Sequence, residues 1–95
     1  MIDGYADYVI DMCVETIRTK KRVYNFRAEE DSYQKAKRIA EGYASRDGQW
    51  LADDIGPNYR LCFSVRRNRL KSKPTFKTEW FYDKHYKHED TRICK

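Results

Sequence analysis

From Tyr59 to Arg66 the side chains alternate without a break, with Tyr59, Leu61, Phe63 and Val65 on one side and Arg60, Cys62, Ser64 and Arg66 on the other. A period of two puts every second side chain on the same side of an extended backbone, so this segment reads as a β-strand with one buried face. Phe76, Trp80 and Tyr82 alternate with Lys77, Glu79 and Asp83 and predict a second strand, antiparallel to the first through the loop from Arg67 to Pro74. Gln49 to Ala52 reads as a further short strand, and Val23 to Ala28 as one that runs straight into a helix.

The helix begins at Asp31 or Ser32, either of which can cap the first turn with a side-chain oxygen, while Glu29 and Glu30 suit the positive end of its dipole. Tyr33, Ala36, Ile39, Ala40 and Tyr43 recur at helical spacing, with Lys35, Lys37, Arg38 and Glu41 off that stripe. Gly42 weakens the last turn, and Arg46-Asp47-Gly48 is the expected exit, because glycine accepts the left-handed conformation that ends many helices. Tyr8 to Ile17 carries two patterns. Val9, Ile10, Cys13, Val14 and Ile17 make a helical stripe opposite Asp7, Asp11 and Glu15, but the segment is rich in β-branched residues, which fit strands better, so a strand is the preferred reading. The expected architecture is α+β, an antiparallel sheet with one main helix packed on one face, in the order β-β-α-β-β-β.

At 95 residues the chain reads as one domain, 1–95, with a basic loop at 66–74 and a tail at 84–95 for which flexibility is the expectation. Aromatic residues make up 15% of it, which places it among globular rather than disordered chains. No apolar run approaches the roughly 20 residues needed to span a bilayer. The N-terminus, with Asp3 and Asp7, lacks the basic and apolar regions of a signal peptide, so a cytoplasmic protein is expected. Cys13, Cys62 and Cys94 are widely spaced and odd in number, which in such a chain points to reduced thiols.

Seven of the 20 Lys and Arg lie between Ile55 and Thr78, against none of the 15 Asp and Glu, so elsewhere acids outnumber cations 15 to 13 and the net charge of +5 belongs to this one segment. Its cations are Arg60, Arg66, Arg67, Arg69, Lys71, Lys73 and Lys77. They cover the outward side of the Tyr59 strand and continue into the loop, an arrangement that can follow a phosphate backbone: Arg binds phosphate through a planar fork, and Lys acts as a mobile point charge. Nucleic acid or a nucleoprotein is the leading partner, with an acidic protein surface and a merely solubilising hairpin as alternatives. Phe81, on the face opposite Trp80 and Tyr82, is the expected solvent-facing ring on which a base could stack. No RRM aromatic consensus, KH loop or zinc-finger spacing is present, so sequence-specific readout has no support.

His85 and His88 with Glu89, Asp90 and Cys94 lie in a charged terminal stretch where solvated side chains are the expectation, so neither a metal nor another cofactor is expected. Cys13, Cys62, Ser64 and the histidines form no nucleophile-and-base signature, and Asp53-Asp54 reads as a polar turn. The enzyme alternative is a small metal-dependent nuclease.

The segment Val23 to Ala44, a strand feeding a helix with Ala36-Lys37-Arg38-Ile39-Ala40, resembles the strand-helix unit of small phage-encoded proteins. Among these it resembles a type I-F anti-CRISPR family, built as a helix on an antiparallel sheet, that occludes the guide RNA-bound backbone subunits of a surveillance complex. The resemblance covers about a quarter of the chain, and the basic loop and aromatic C-terminal stretch depart from it. It implies that Lys37 and Arg38, on the solvated face of the helix, contact the target. The expected function is therefore a non-enzymatic binding protein, a phage inhibitor of a host defence complex acting by occlusion. A general RNA- or DNA-binding module, dimeric through a sheet edge, is the alternative.

The apolar side of the Tyr59 strand generates one test. Phe63→Ala is expected to cost about 3–5 kcal/mol, since truncating a buried ring leaves a cavity. Thermal melting measures it, and an unmoved midpoint would mean the two faces of the strand are assigned backwards.

Overall fold

Tyr8, Ile10, Met12 and Val14 of β1, Tyr8–Thr16, and Leu61, Phe63 and Val65 of β3, Tyr59–Arg67, point to the helix side, and these two neighbouring strands carry the core. The computed structural model describes residues 6–69 and 72–86. β1 pairs antiparallel on one side with β2, Arg22–Glu30, and on the other with β3. Beyond β3 lie the short β4, Pro74–Lys77, and β5, Phe81–Tyr82, so the sheet runs β2-β1-β3-β4 with β5 also on β3. The expected α+β architecture, an antiparallel sheet with one main helix on one face, is observed, and Tyr8 to Ile17 begins as a strand.

Ser32 caps helix α1, Tyr33–Tyr43, its hydroxyl accepting from the Lys35 N–H at 3.4 Å. The expected exit at Arg46-Asp47-Gly48 does not occur, and the expected strand at Gln49–Ala52 is helical instead. The chain passes through one π turn, Ala44–Gly48, into α2, Gln49–Ile55, and ends at Gly56, where φ is 93°. The cause is a stripe of small residues. Ala36, Ala40, Ala44, Gly48 and Ala52 recur every fourth position and are all buried, letting the helix lie close to the sheet. A regular helix of 3.6 residues per turn would rotate such a stripe off the contact, and the wider π turn brings it back. The turn frees backbone groups, and the Gly42 carbonyl accepts from Ser45 Oγ at 3.3 Å and Arg46 Nε at 3.2 Å.

Ile10, Met12, Leu61, Phe63 and Val65 meet this stripe, with the Phe63 ring stacked on Tyr43 at 5.5 Å between centroids. The strand expected from Phe76 through Tyr82 is broken in two. The Thr78 hydroxyl accepts from the Phe63 N–H at 2.9 Å while the Thr78 N–H donates to the Phe63 carbonyl, so a side chain takes one place in the ladder and the alternation restarts on the other side. Phe76 and Phe81 therefore both stand beside helix-facing residues, Val65 and Leu61, and Trp80 and Tyr82 turn to the opposite face.

Two glycine replacements separate packing from backbone freedom. A Cβ at Gly48 would lie 2.8 Å from the Phe81 ring, whereas one at Gly42 would meet nothing within 4 Å. Gly48→Ala is expected to destabilise by about 1–3 kcal/mol through overpacking, and Gly42→Ala to stabilise by about 0.5–1 kcal/mol through helix propensity. Urea midpoints followed by circular dichroism test both signs, and a neutral Gly48→Ala would contradict the close approach of β5 to the helix.

Candidate nucleic-acid interface

The alternation of β3 predicts one buried face, but Leu61, Cys62, Phe63, Ser64 and Val65 are all buried. What closes the second face is a layer of side chains. Cross-strand register places Glu15 beside Arg22 and Arg60, Asp11 beside Phe26 and Ser64, and Cys13 beside Tyr24 and Cys62 on that face. Glu15 is 1% exposed and Asp11 2%, so both carboxylates need partners. Arg22 Nε donates to Glu15 Oε2 at 2.5 Å, and Arg60 holds Oε1 through Nε at 2.6 Å and through its terminal nitrogen. Arg66 Nε donates to Asp11 Oδ2 at 2.7 Å. Trp80 lies over Arg60 and Arg22, with the Arg60 guanidinium carbon 3.9 Å from its ring centroid and Arg22 and Lys77 at 5.5 and 5.6 Å. Burial pushes the Glu15 carboxyl up, but the bonds from Arg22 and Arg60 outweigh it and hold the group below its ordinary value of 4.5. Beneath this layer Cys13 and Cys62 face each other as free, buried thiols.

Of the three candidate arginines in β3, Arg60 and Arg66 are thus half-buried clamps on the sheet's own carboxylates, and Arg67 ends the strand. The cations from the end of β3 into the following loop are placed differently. Arg67, Arg69 and Lys73 are exposed, and none of them forms an ion pair among the described residues. Arg67 spreads over the Tyr8 ring at 5.7 Å, Tyr8 touches Tyr33 at the start of α1, and Lys37, one turn further along, sits 5.2 Å over Phe76 of β4. The helix cations and the β3–β4 connection therefore share one end of the molecule, with Arg38 exposed on the same helix. Lys77 is exposed on the side-chain-covered face beside Trp80. Lys71 lies outside the described residues.

Phe81 is not a solvent-facing ring. Its partner in register is the helix-facing Leu61, so it packs on Gly48 and the core. Among the described residues the large exposed apolar groups are Val23, Tyr24, Phe26, Trp50 and Tyr59. Tyr24 and Phe26 had a local signal, the alternation of a strand, but their exposure depends on β2 being outermost, which no short segment reveals. The described residues contain no group of three or more His, Cys, Asp or Glu able to hold a metal, and His88, Glu89, Asp90 and Cys94 lie outside them. No described helix is long and apolar enough to cross a membrane. Asp53 is part of a helix and not a turn, accepting from Gln49 Nε2 at 2.9 Å and from the Lys84 N–H at 2.8 Å.

Glu15→Gln is expected to destabilise at neutral pH by about 1–3 kcal/mol, because two arginines lose their charge partner. The cost falls short of that for a fully buried pair because the Arg22 side chain is 36% exposed and partly screened. A carboxyl whose folded pKa is depressed stabilises above its unfolded pKa and loses that contribution as pH falls through the folded one. The difference between Glu15→Gln and the parent is therefore expected to be full at pH 7 and to shrink below about pH 4.5. Urea midpoints from pH 7 to 3 measure it, and a gap that widens in acid would contradict the ion-pair assignment.

Compared with protein families, with curated proteins and with solved structures, the chain has no match.

Proposed function

We propose that this chain is a non-enzymatic binding protein that docks the cationic end of its β3–β4 hairpin on nucleic acid, bare or in the groove of a host nucleoprotein, and acts by occlusion. The observation that carries this reading is the division among its cations. Arg60 and Arg66 are held by buried carboxylates, while Arg67, Arg69 and Lys73 stand exposed and without an ion pair among the described residues. Desolvating an arginine already bound to a carboxylate gains little, whereas an exposed guanidinium can exchange water and counterions for phosphate. Lys37 and Arg38 extend the same end onto α1 and supply a contact to a protein component. In the phage setting that the strand-helix resemblance implies, this is an inhibitor working in the host cytoplasm. A general RNA- or DNA-binding module would use the hairpin alone.

Binding of a fluorescent oligonucleotide tests the hairpin. Three phosphate contacts give a slope of log affinity against log salt of about −3. Arg67→Glu, Arg69→Glu and Lys73→Glu together are expected to abolish binding with a stability change near ±0.5 kcal/mol per site. Unchanged affinity in that triple variant would end the proposal. Arg66→Glu is unsuitable here, since it would set a second carboxylate against the buried Asp11. Lys37→Glu with Arg38→Glu is expected to weaken capture of a nucleoprotein while sparing bare nucleic acid, and equal losses in both assays would favour the simple module.

A further inference from the structure

We infer that β2 is a dimer interface, on which a second copy of this chain adds its own β2 antiparallel about a two-fold axis at Asn25. The reading is independent of the nucleic-acid proposal. Among the described residues β2 is the outermost strand, its residues 22–27 are exposed, and the large groups Val23, Tyr24 and Phe26 are 59%, 42% and 60% exposed. Long, apolar, unpaired edges are hazards that proteins usually blunt. Its middle is interrupted by a bulge, since β1 passes from Ala28 to Phe26 and leaves Arg27 over, its guanidinium turned back to the Met12 sulfur at 3.3 Å.

The charges of the strand identify the occupant. Lys20, Lys21 and Arg22 stand at its start, and Glu29, Glu30 and Asp31 at its end, so an antiparallel second copy sets cations against acids at both ends. The register also closes. Thr16 N–H donates to the Lys21 carbonyl at 2.9 Å, which makes that an inward-bonded pair, and strict alternation then turns the backbone groups of Arg22, Tyr24 and Phe26 outward. With Asn25 opposite itself, Tyr24 meets Phe26 of the second copy. When Arg27 is passed over as it is against β1, Val23 meets Ala28, Arg22 meets Glu29 and Lys21 meets Glu30. Each opposed pair shares a face: Tyr24, Phe26, Arg22 and Glu29 lie on the side of Cys13, Asp11, Glu15 and Val9, and Val23 and Ala28 on the side of Val14 and Ile10. Such aromatic and opposite-charge cross-strand pairs stabilise, and like charges in those places destabilise. The other side of the sheet ends in strands of four and two residues, one opened by Pro74, so pairing stops at two copies.

Sedimentation equilibrium of the whole chain across concentration tests this. The mass is expected to rise from 11.5 kDa toward twice that value. Lys21→Glu and Glu30→Lys are each expected to weaken association at least about tenfold, and the two changes in one chain to restore it. Independently, Asn25→Cys in a Cys94→Ser background is expected to give a disulfide-linked dimer with oxidised glutathione, because opposed residues at the axis fall within disulfide range. Val23→Cys, which faces Ala28 of the second copy, is expected not to do so. A monomer at all concentrations, open-ended assemblies, or a double swap no better than the singles would each overturn the inference.

Discussion

Two carboxylates buried in β1 hold the arrangement of charges together. A sheet with a helix on one side and nothing but water on the other would leave Cys13, Cys62 and Ser64 exposed. Asp11 and Glu15 prevent this by drawing Arg22, Arg60 and Arg66 flat across the second face, where their stems and the Trp80 ring exclude water. The arginines supply area as well as charge. A chain of 95 residues has little material for a second layer of helices, and long side chains pinned by carboxylates are an economical substitute. Neutralising one member would leave its partners half-buried and uncompensated.

That constraint redistributes what the cations can do. An arginine whose fork is occupied by Glu15 or Asp11 is a poor phosphate ligand, since a new contact must compete with one already made in a screened environment. The net charge of the basic segment is therefore a misleading measure of its binding power: part of it is neutralised by carboxylates about fifty residues away in sequence. What is left in the described residues is concentrated where the strands end and the Tyr8 and Phe76 rings support Arg67 and Lys37. Proximity to aromatic rings holds these side chains without neutralising them, which is the state that the proposed phosphate contact requires.

The same long-range pairing explains what was legible in the sequence. The β3 alternation, the Ser32 cap and the strand character of Tyr8 to Ile17 are local properties of backbone and side chain, and they were readable. Gln49 to Ala52 was misread because four residues hold no period; the informative pattern was the fourfold recurrence from Ala36 to Ala52, which crosses Gly42 and Gly48. Gly48 was correctly marked as special for the wrong reason. Its φ is −54°, and what it provides is room for the Phe81 ring. Phe81 itself was placed outside because Thr78 resets the alternation by lending its hydroxyl to the ladder. The occupation of Arg60 and Arg66 depends on which strand neighbours which, and β1 lies more than forty residues upstream.

Arg22 joins these levels. It neutralises Glu15 on the inner side, stacks near Trp80 above, and begins the exposed run of β2 on the outer side. Its geometry is fixed and its charge largely satisfied by the buried carboxylate, so Lys20 and Lys21 are the exposed cations left at this end of the edge, and little side-chain freedom is lost at Arg22 when a further strand arrives. If two copies meet along β2, their antiparallel relation carries the two cationic rims to opposite ends of the joined sheet. If the rim binds nucleic acid as proposed, each copy would then approach a separate stretch. A paired molecule built this way bridges two sites and does not clamp one.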